Sequence, residues 1–418
     1  MAADRGGGQG LTAVVPGPID ETSPRYRGWR VVVACFLMAL FLFGFALYGQ
    51  GVYLVELQRL NGWSASLVSG AATLSLLIGS LITIFTDEIV RHIGLKRLAV
   101  TGIACLAAAM ALLAFAFAPW RLYAALTLMS LGWVGMGTVM ISSVVGAWFE
   151  KRRGLAISLA FLGASCGGVA VTPLLVMLVA YVGFQTAMLI ASGIMLAVLI
   201  PAAFAWIAAP PASAAVSGAK TDQAVRPDRM SRAKLMRRLA FWTIAAPFAL
   251  GVAAQVGFIV HQIAMLEPKV GPVGAGFAVS VMTAMALVGR LSLGMVVDRL
   301  DPRIAAAGSL LSQAAALLTI RLTGDPHLML AASALFGFSI GNLITLPPLI
   351  IHREFEAAGF TVVMGLFTAI SGTVGALGPV LLGLARGWTG DYGLALGICI
   401  ALELLAAAIV VQRSPRRG

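Results

Sequence analysis

The sequence predicts an all-α membrane protein: twelve transmembrane helices in two pseudo-symmetric six-helix bundles. Three observations carry that prediction. Hydrophobic residues make up 60% of the 418 and charged residues only 11%, where a soluble domain carries about 25% charge. The apolar residues fall in blocks of about 20 or more, the length that crosses a bilayer at about 1.5 Å per residue. Motifs also recur half a chain apart, at offsets of 206 and 207 residues. A β-barrel would show shorter, alternating segments.

The elements follow in chain order. Residues 1–26 are polar and Gly-rich with no apolar core, so a disordered cytoplasmic tail is expected rather than a cleavable signal peptide. The spans read as 29–55, 65–86, 98–118, 122–147, 155–181 and 185–208, then 239–263, 273–297, 304–321, 327–350, 360–385 and 391–412. Residues 27–208 thus form an N-terminal six-helix bundle and 239–412 a C-terminal one. Between them, 209–238 is rich in Pro, Ala, Ser and charge and reads as a cytoplasmic linker; 413–418 is a short tail. All four cysteines (Cys35, Cys105, Cys166, Cys399) fall inside spans and read as packing residues, not metal ligands or disulfides.

Orientation follows from Lys and Arg. With both termini cytoplasmic, 23 of the 29 basic residues lie inside and five outside (Arg59, Arg121, Lys269, Arg321, Arg386). The +12 net charge is then a cytoplasmic-leaflet feature that needs no nucleic acid. The remaining basic residue, Arg290, is the only charge between Pro272 and Val297. Such a cation costs about 2.5–3.5 kcal/mol on insertion scales, so it faces a partner, a cavity or a ligand.

The two halves repeat. Pro173 follows Gly163, Gly167 and Gly168 in span 5, and Pro379 follows Gly372, Gly375 and Gly378 in span 11. Arg91-His92-Ile93-Gly94 after span 2 pairs with Asp298-Arg299-Leu300-Asp301 after span 8. Parallel six-helix repeats are a transporter design with its site at the midplane between them.

Here the chain resembles the major facilitator superfamily over nearly all of residues 27–412. Gly294-Met295-Val296-Val297-Asp298-Arg299-Leu300-Asp301-Pro302-Arg303 looks like that family's signature between spans 8 and 9. The resemblance implies a charged latch holding the cytoplasmic side shut, with Arg303 as basic partner of Asp298 beside Arg299. The first-half copy, Thr86-Asp87-Glu88-Ile89-Val90-Arg91-His92-Ile93-Gly94-Leu95-Lys96-Arg97, has Arg91 at the usual Asp position, so Asp87 or Glu88 would be the acid and Lys96 and Arg97 the basic pair.

A narrower resemblance is to bacterial relatives of the monocarboxylate transporters and the oxalate–formate antiporters. It rests on Arg27-Gly28-Trp29-Arg30, Tyr48-Gly49-Gln50-Gly51-Val52-Tyr53 and Asn61-Gly62-Trp63-Ser64 around span 1. Trp148-Phe149-Glu150-Lys151-Arg152-Arg153-Gly154 before span 5 and Gly289-Arg290-Leu291 in span 8 complete it. In that family the arginine at the position of Arg290 binds the substrate carboxylate. Some carriers have an acid one turn before it, where this chain has Ala286; the oxalate–formate antiporter adds a lysine in span 11, which here has no charge from Thr361 to Ala385. A lone cation suits a monoanion.

The candidate substrate residues are Arg290, Tyr48, Gln50, Tyr53, Gln255, His261 and Asn342. Each has a plainer reading. Arg290 could snorkel to headgroups or join the latch, roughly 12 Å away along the helix, and the others could be interhelical hydrogen bonds. Glu403, in the middle of span 12, reads as a protonated, hydrogen-bonded residue rather than a proton carrier, and Glu56 as a solvated end of span 1.

No Walker-type loop supports an ATP-driven pump, and four scattered histidines (His92, His261, His327, His352) make no catalytic or metal cluster. The expectation is a monomeric, cofactor-free secondary transporter of the cell inner membrane that moves a small organic anion, a monocarboxylate, by alternating access. A coupling proton, exchange and uniport all stay open. The rival is a carrier of a larger neutral or zwitterionic solute with Arg290 structural.

Overall fold

A computed structural model describes residues 21–23, 25–83, 85–149, 151–207, 232–296, 300–355 and 360–412. Eleven helical runs among them are long and apolar enough to cross a membrane. The run Leu239–Leu293 is too long for one crossing. It turns at Gly271, whose φ of 74° and ψ of 169° end one helix and begin the next. Twelve spans result.

Span 1 is Arg27–Leu42, a π-helical turn Phe43–Tyr48, and Gln50–Asn61. Span 2 is Ala65–Thr83, and a separate short helix, Thr86–Ile93, follows it. Span 3 is Leu95–Ala114. Span 4 breaks at Gly137 between Pro119–Met136 and Thr138–Gly146. Span 5 is Arg153–Cys166, a second π-helical turn Gly167–Val171, and Thr172–Val182. Span 6 is Phe184–Trp206. Spans 9 and 10 are Pro302–Leu322 and Pro326–Glu354. Span 11 is Phe360–Ala376 and Gly378–Thr389, and span 12 is Gly393–Val410.

The internal repeat reappears as backbone geometry. Gly62 (φ 67°) ends span 1 as Gly271 (φ 74°) ends span 7, and Gly183 (φ 79°) ends span 5 as Gly390 (φ 78°) ends span 11. Each reversal uses a left-handed conformation that only glycine adopts without strain. Spans 5 and 11 are both interrupted just before their prolines, Pro173 and Pro379, where the ring removes an N–H from the ladder.

Glycines also set the closest helix pairs. A Cβ on Gly289, Gly337 or Gly341 would collide with the backbone carbonyl of Phe338, Met282 or Ala286, so spans 8 and 10 touch backbone to backbone. Gly163 against Phe36 does the same for spans 5 and 1.

The two halves meet mainly toward one end. Arg59 on the span 1 extension bonds Glu267 at 2.7 Å. The Val380 N–H donates to Thr73 Oγ1 at 3.1 Å, and Ser280 Oγ donates to the Val169 carbonyl at 2.9 Å. Gly51 packs on Ile263, and Gly168 on Thr283.

Candidate functional site

Arg290 owes its aim to span 8. Met282, Ala286 and Gly289 are committed to span 10 by the glycine contacts. Thr283, two helical turns before Arg290 and on the same stripe, packs on Gly168 of span 5. The arginine therefore faces the opposite half, with Tyr48 of span 1 within electrostatic reach. The residue is half-buried, its Nε is buried without a hydrogen bond, and among the described residues no carboxylate pairs with it.

A cavity of about 230 Å³ lies between spans 1, 2 and 4 of the first half and spans 7 and 11 of the second, and neither Arg290 nor Tyr48 is in its lining. Phe43, Leu47, Gln50, Trp133 and Val256 are among its walls, and Gly79, Gly372 and Gly375 are the positions where side chains are withheld.

The other candidates divide. Gln50 lines the cavity; its Nε2 donates to Ala46 O at 2.7 Å, while Oε1 is buried and unpaired. Gln255 is buried with an unpaired Nε2, next to the cavity residue Val256. Tyr53 instead packs edge-on against Phe184 in the first-half core, 6.2 Å between centroids. Asn342 donates to Ser309 Oγ at 3.2 Å and so ties span 10 to span 9.

His261 is not a substrate donor. It is fully buried, its Nε2 lies 3.0 Å from the Pro379 carbonyl, and its Nδ1 lies 3.1 Å from the Tyr392 hydroxyl. A carbonyl only accepts, so Nε2 carries the proton and Nδ1 accepts from tyrosine. Burial pushes the Tyr392 phenol up to about 12 against the pull of Arg386, so it remains a donor. Both ring nitrogens are spent on joining spans 7, 11 and 12.

The latch also differs. Asp298, Arg299 and the Asp87 side chain lie outside the described residues. Arg303 is committed elsewhere: Nε and one terminal nitrogen hold Glu354 at 2.5 and 2.7 Å, and the other terminal nitrogen donates to the carbonyls of Thr243, Val410 and Gln412. It clamps the ends of spans 7, 9, 10 and 12 within one half. Glu88 and Arg91 are exposed, and their 3.9 Å approach is local. Lys96 donates to Phe204 O at 3.0 Å, and Arg97 is exposed. Glu403 is fully buried beside Gly251, but the hydrogen bond expected of it is missing, both oxygens being unpaired.

Three features escaped sequence reading. The cavity stripe Phe43-Ala46-Leu47-Gln50 resembles any apolar helix face. The Glu354 partner of Arg303 lies 51 residues away. The Arg59–Glu267 bridge joins span ends that are distant in sequence, although opposite charges at the ends of the equivalent spans 1 and 7 were a usable signal.

The Major Facilitator Superfamily model matches residues 36–268, more than half of the chain. The chain belongs to the Major Facilitator Superfamily. Its members of known name that it resembles are transporters. Monocarboxylate transporter 13 of Bos taurus is 24% identical over 389 residues, covering 92% of this chain and 88% of that protein. The uncharacterized MFS-type transporter YcxA of Bacillus subtilis (strain 168) is 23% identical over 401 residues, covering 93% and 95%. Among solved structures, a bacterial homolog of the human lysosomal transporter Spinster superposes with a TM-score of 0.71 at 15% identity, covering 94% of this chain and 100% of that one. The nucleoside transporter NupG gives 0.70 at 13% identity, covering 93% and 100%. These two likenesses are likenesses of fold. As a Major Facilitator Superfamily transporter, the chain moves a small molecule across a membrane.

Proposed function

We propose that this transporter carries a small organic monoanion, a monocarboxylate in the simplest case, with Arg290 as the anchor for its charge. The observation that carries the reading is the state of Arg290: a half-buried guanidinium aimed at the opposite half, with its Nε unpaired and no carboxylate partner among the described residues. A half-buried cation with an unpaired Nε has donors to offer, and an anionic solute can take them bidentately. The likeness to monocarboxylate transporter 13 supports the same class.

The excess of Lys and Arg on one side supports a cell inner membrane protein with both termini cytoplasmic. In that orientation the Arg59–Glu267 bridge lies on the outer side. The same reading includes the two bundles at 27–208 and 239–412, a linker at 209–238, of which 209–231 lie outside the described residues, and a monomeric assembly. Transport then proceeds by rocking the halves about the cavity.

The test is counterflow of labelled monocarboxylates in proteoliposomes. Arg290→Ala is expected to lower uptake at least tenfold, since a hydrogen-bonded charge contributes roughly 1.5–3 kcal/mol. Arg290→Lys recovers little, because an ammonium lacks the planar fork. Saturable uptake by Arg290→Ala at the parental rate would overturn the assignment.

A further inference from the structure

A small basic groove lies at the Lys/Arg-rich end of the first half, where the ends of three spans meet. Arg27 and Arg30 open span 1, Trp148 follows span 4, and Ala205 and Trp206 close span 6. Packing aims the arginines there. Tyr26 and Trp29, three residues apart, stand edge-on to Phe149 at 5.3 and 4.9 Å between ring centroids, and the Tyr26 hydroxyl donates to the Trp148 carbonyl. The next face of the same helix carries Arg27 and Arg30, also three residues apart, so both border the groove with the two indoles. Both arginines are exposed, and neither takes part in an ion pair among the described residues. The Glu21 carboxylate close by accepts from the backbone N–H groups of Lys151 and Arg152, at 3.3 and 2.8 Å. Lys96 adds a further cation at the end of span 6, where its Nζ donates to the Phe204 carbonyl at 3.0 Å and lies 4.9 Å from that ring's centroid.

The groove holds about 20 Å³, room for about one water-sized group and not for a whole solute. A phosphate oxygen fits that space while the rest of its headgroup stays outside. One edge of the groove continues into the membrane face. Ala205 is the last member of an exposed stripe, Ile194, Ala197, Pro201 and Ala205, that runs along span 6 at helical spacing. Indoles collect at the depth of lipid headgroups, where one side of the ring is apolar and the N–H is wet. We propose that this groove binds an anionic phospholipid, with its phosphate between Arg27 and Arg30 beside the two indoles and its chains along the span 6 stripe. A guanidinium fork matches phosphate oxygens bidentately, and the cytoplasmic leaflet is the one that carries anionic lipid. The site is separate from Arg290 and from the cavity between the halves, and it does not depend on which solute is carried.

The experiment is native mass spectrometry of the purified full-length protein, equilibrated with equal amounts of phosphatidylglycerol and phosphatidylcholine. Thermal unfolding in each lipid is the second readout. The wild-type protein is expected to retain phosphatidylglycerol over phosphatidylcholine by about tenfold, since each basic group at the surface adds to the attraction. Arg27→Gln/Arg30→Gln is expected to lose that preference and the stabilisation that goes with it. Its melting in phosphatidylcholine alone should match the wild type, because neither side chain holds an ion pair. Arg237→Gln/Arg238→Gln removes the same charge from exposed positions just before span 7 and is expected to keep the preference. Equal retention of the two lipids by the wild-type protein would overturn the proposal without recourse to any variant. Equal losses in the two double variants would also overturn it, by assigning the attraction to the charge of the whole end. Inorganic phosphate that stabilises the detergent-solubilised protein as well as phosphatidylglycerol does, with the effect absent from Arg27→Gln/Arg30→Gln, would overturn the lipid assignment in favour of a soluble anion.

Discussion

Arg303 and Arg290 carry the same guanidinium and occupy opposite environments. Arg303 is 2% exposed, and all three of its nitrogens are hydrogen-bonded, to Glu354, Thr243, Val410 and Gln412. Arg290 has a buried, unpaired Nε, and among the described residues it forms no salt bridge. The first cation is structural, and the second has valence to offer a solute. Replacing Arg303 by Ala leaves Glu354 and several carbonyls without a donor. It is expected to cost roughly 2–3 kcal/mol, read as a lower melting temperature in detergent. Ligand-induced stabilisation of the variant should persist, because the residue lies outside the cavity. Loss of that ligand response without a change in melting temperature would place Arg303 in the site instead. The half-buried, carboxylate-free setting of Arg290 was legible from its isolation in an apolar stretch. The fate of His261 was not: only packing brings Pro379 and Tyr392 onto its two nitrogens.

At the scale of elements, the span 1 extension and the end of span 7 form a charged clasp. Arg59 bonds Glu56 at 3.0 Å on its own helix and Glu267 at 2.7 Å across the halves. Glu56 lies just past the apolar stretch of span 1. Desolvation raises its pKa, Glu267 adds to the rise, and Arg59 opposes it. A carboxyl whose pKa is raised by closure favours the closed arrangement at low pH, and that contribution is lost as pH rises through the raised value. With Thr73→Cys in a background lacking the native cysteines, thiol labelling from the clasp side should therefore accelerate as pH rises from about 5 to 7. Glu56→Gln should flatten this dependence, and Arg59→Gln should raise labelling at every pH. Labelling independent of both substitutions would show that apolar packing alone closes this end. The spans themselves were legible from length and hydropathy. The π-helical turns in spans 1 and 5 were not, because no side-chain pattern marks them; they arise where Gly44 and Gly167 let those spans pack closely.

At the scale of the whole molecule, the Arg59–Glu267 bridge and the Val380–Thr73 hydrogen bond tie the halves together on one side of the cavity. A cysteine at Ser80, the cavity residue facing Gly372, is expected to react with an impermeant thiol reagent from the Lys/Arg-rich side and to be protected from the clasp side. Equal reaction from both sides would contradict the described state. By itself, the sequence determined what local physics decides: which stretches enter the bilayer, where the chain reverses, that it is built twice, and that one arginine sits where water is scarce. Only the tertiary structure decided which polar groups meet. Of the seven candidates it joined Arg290 and Tyr48, set Gln50 in the cavity wall, kept Gln255 next to it, and withdrew Tyr53, His261 and Asn342 into packing. Hydropathy is a property of a segment, whereas a hydrogen bond needs two groups that the chain separates by a hundred residues and the packed helices bring within 3 Å.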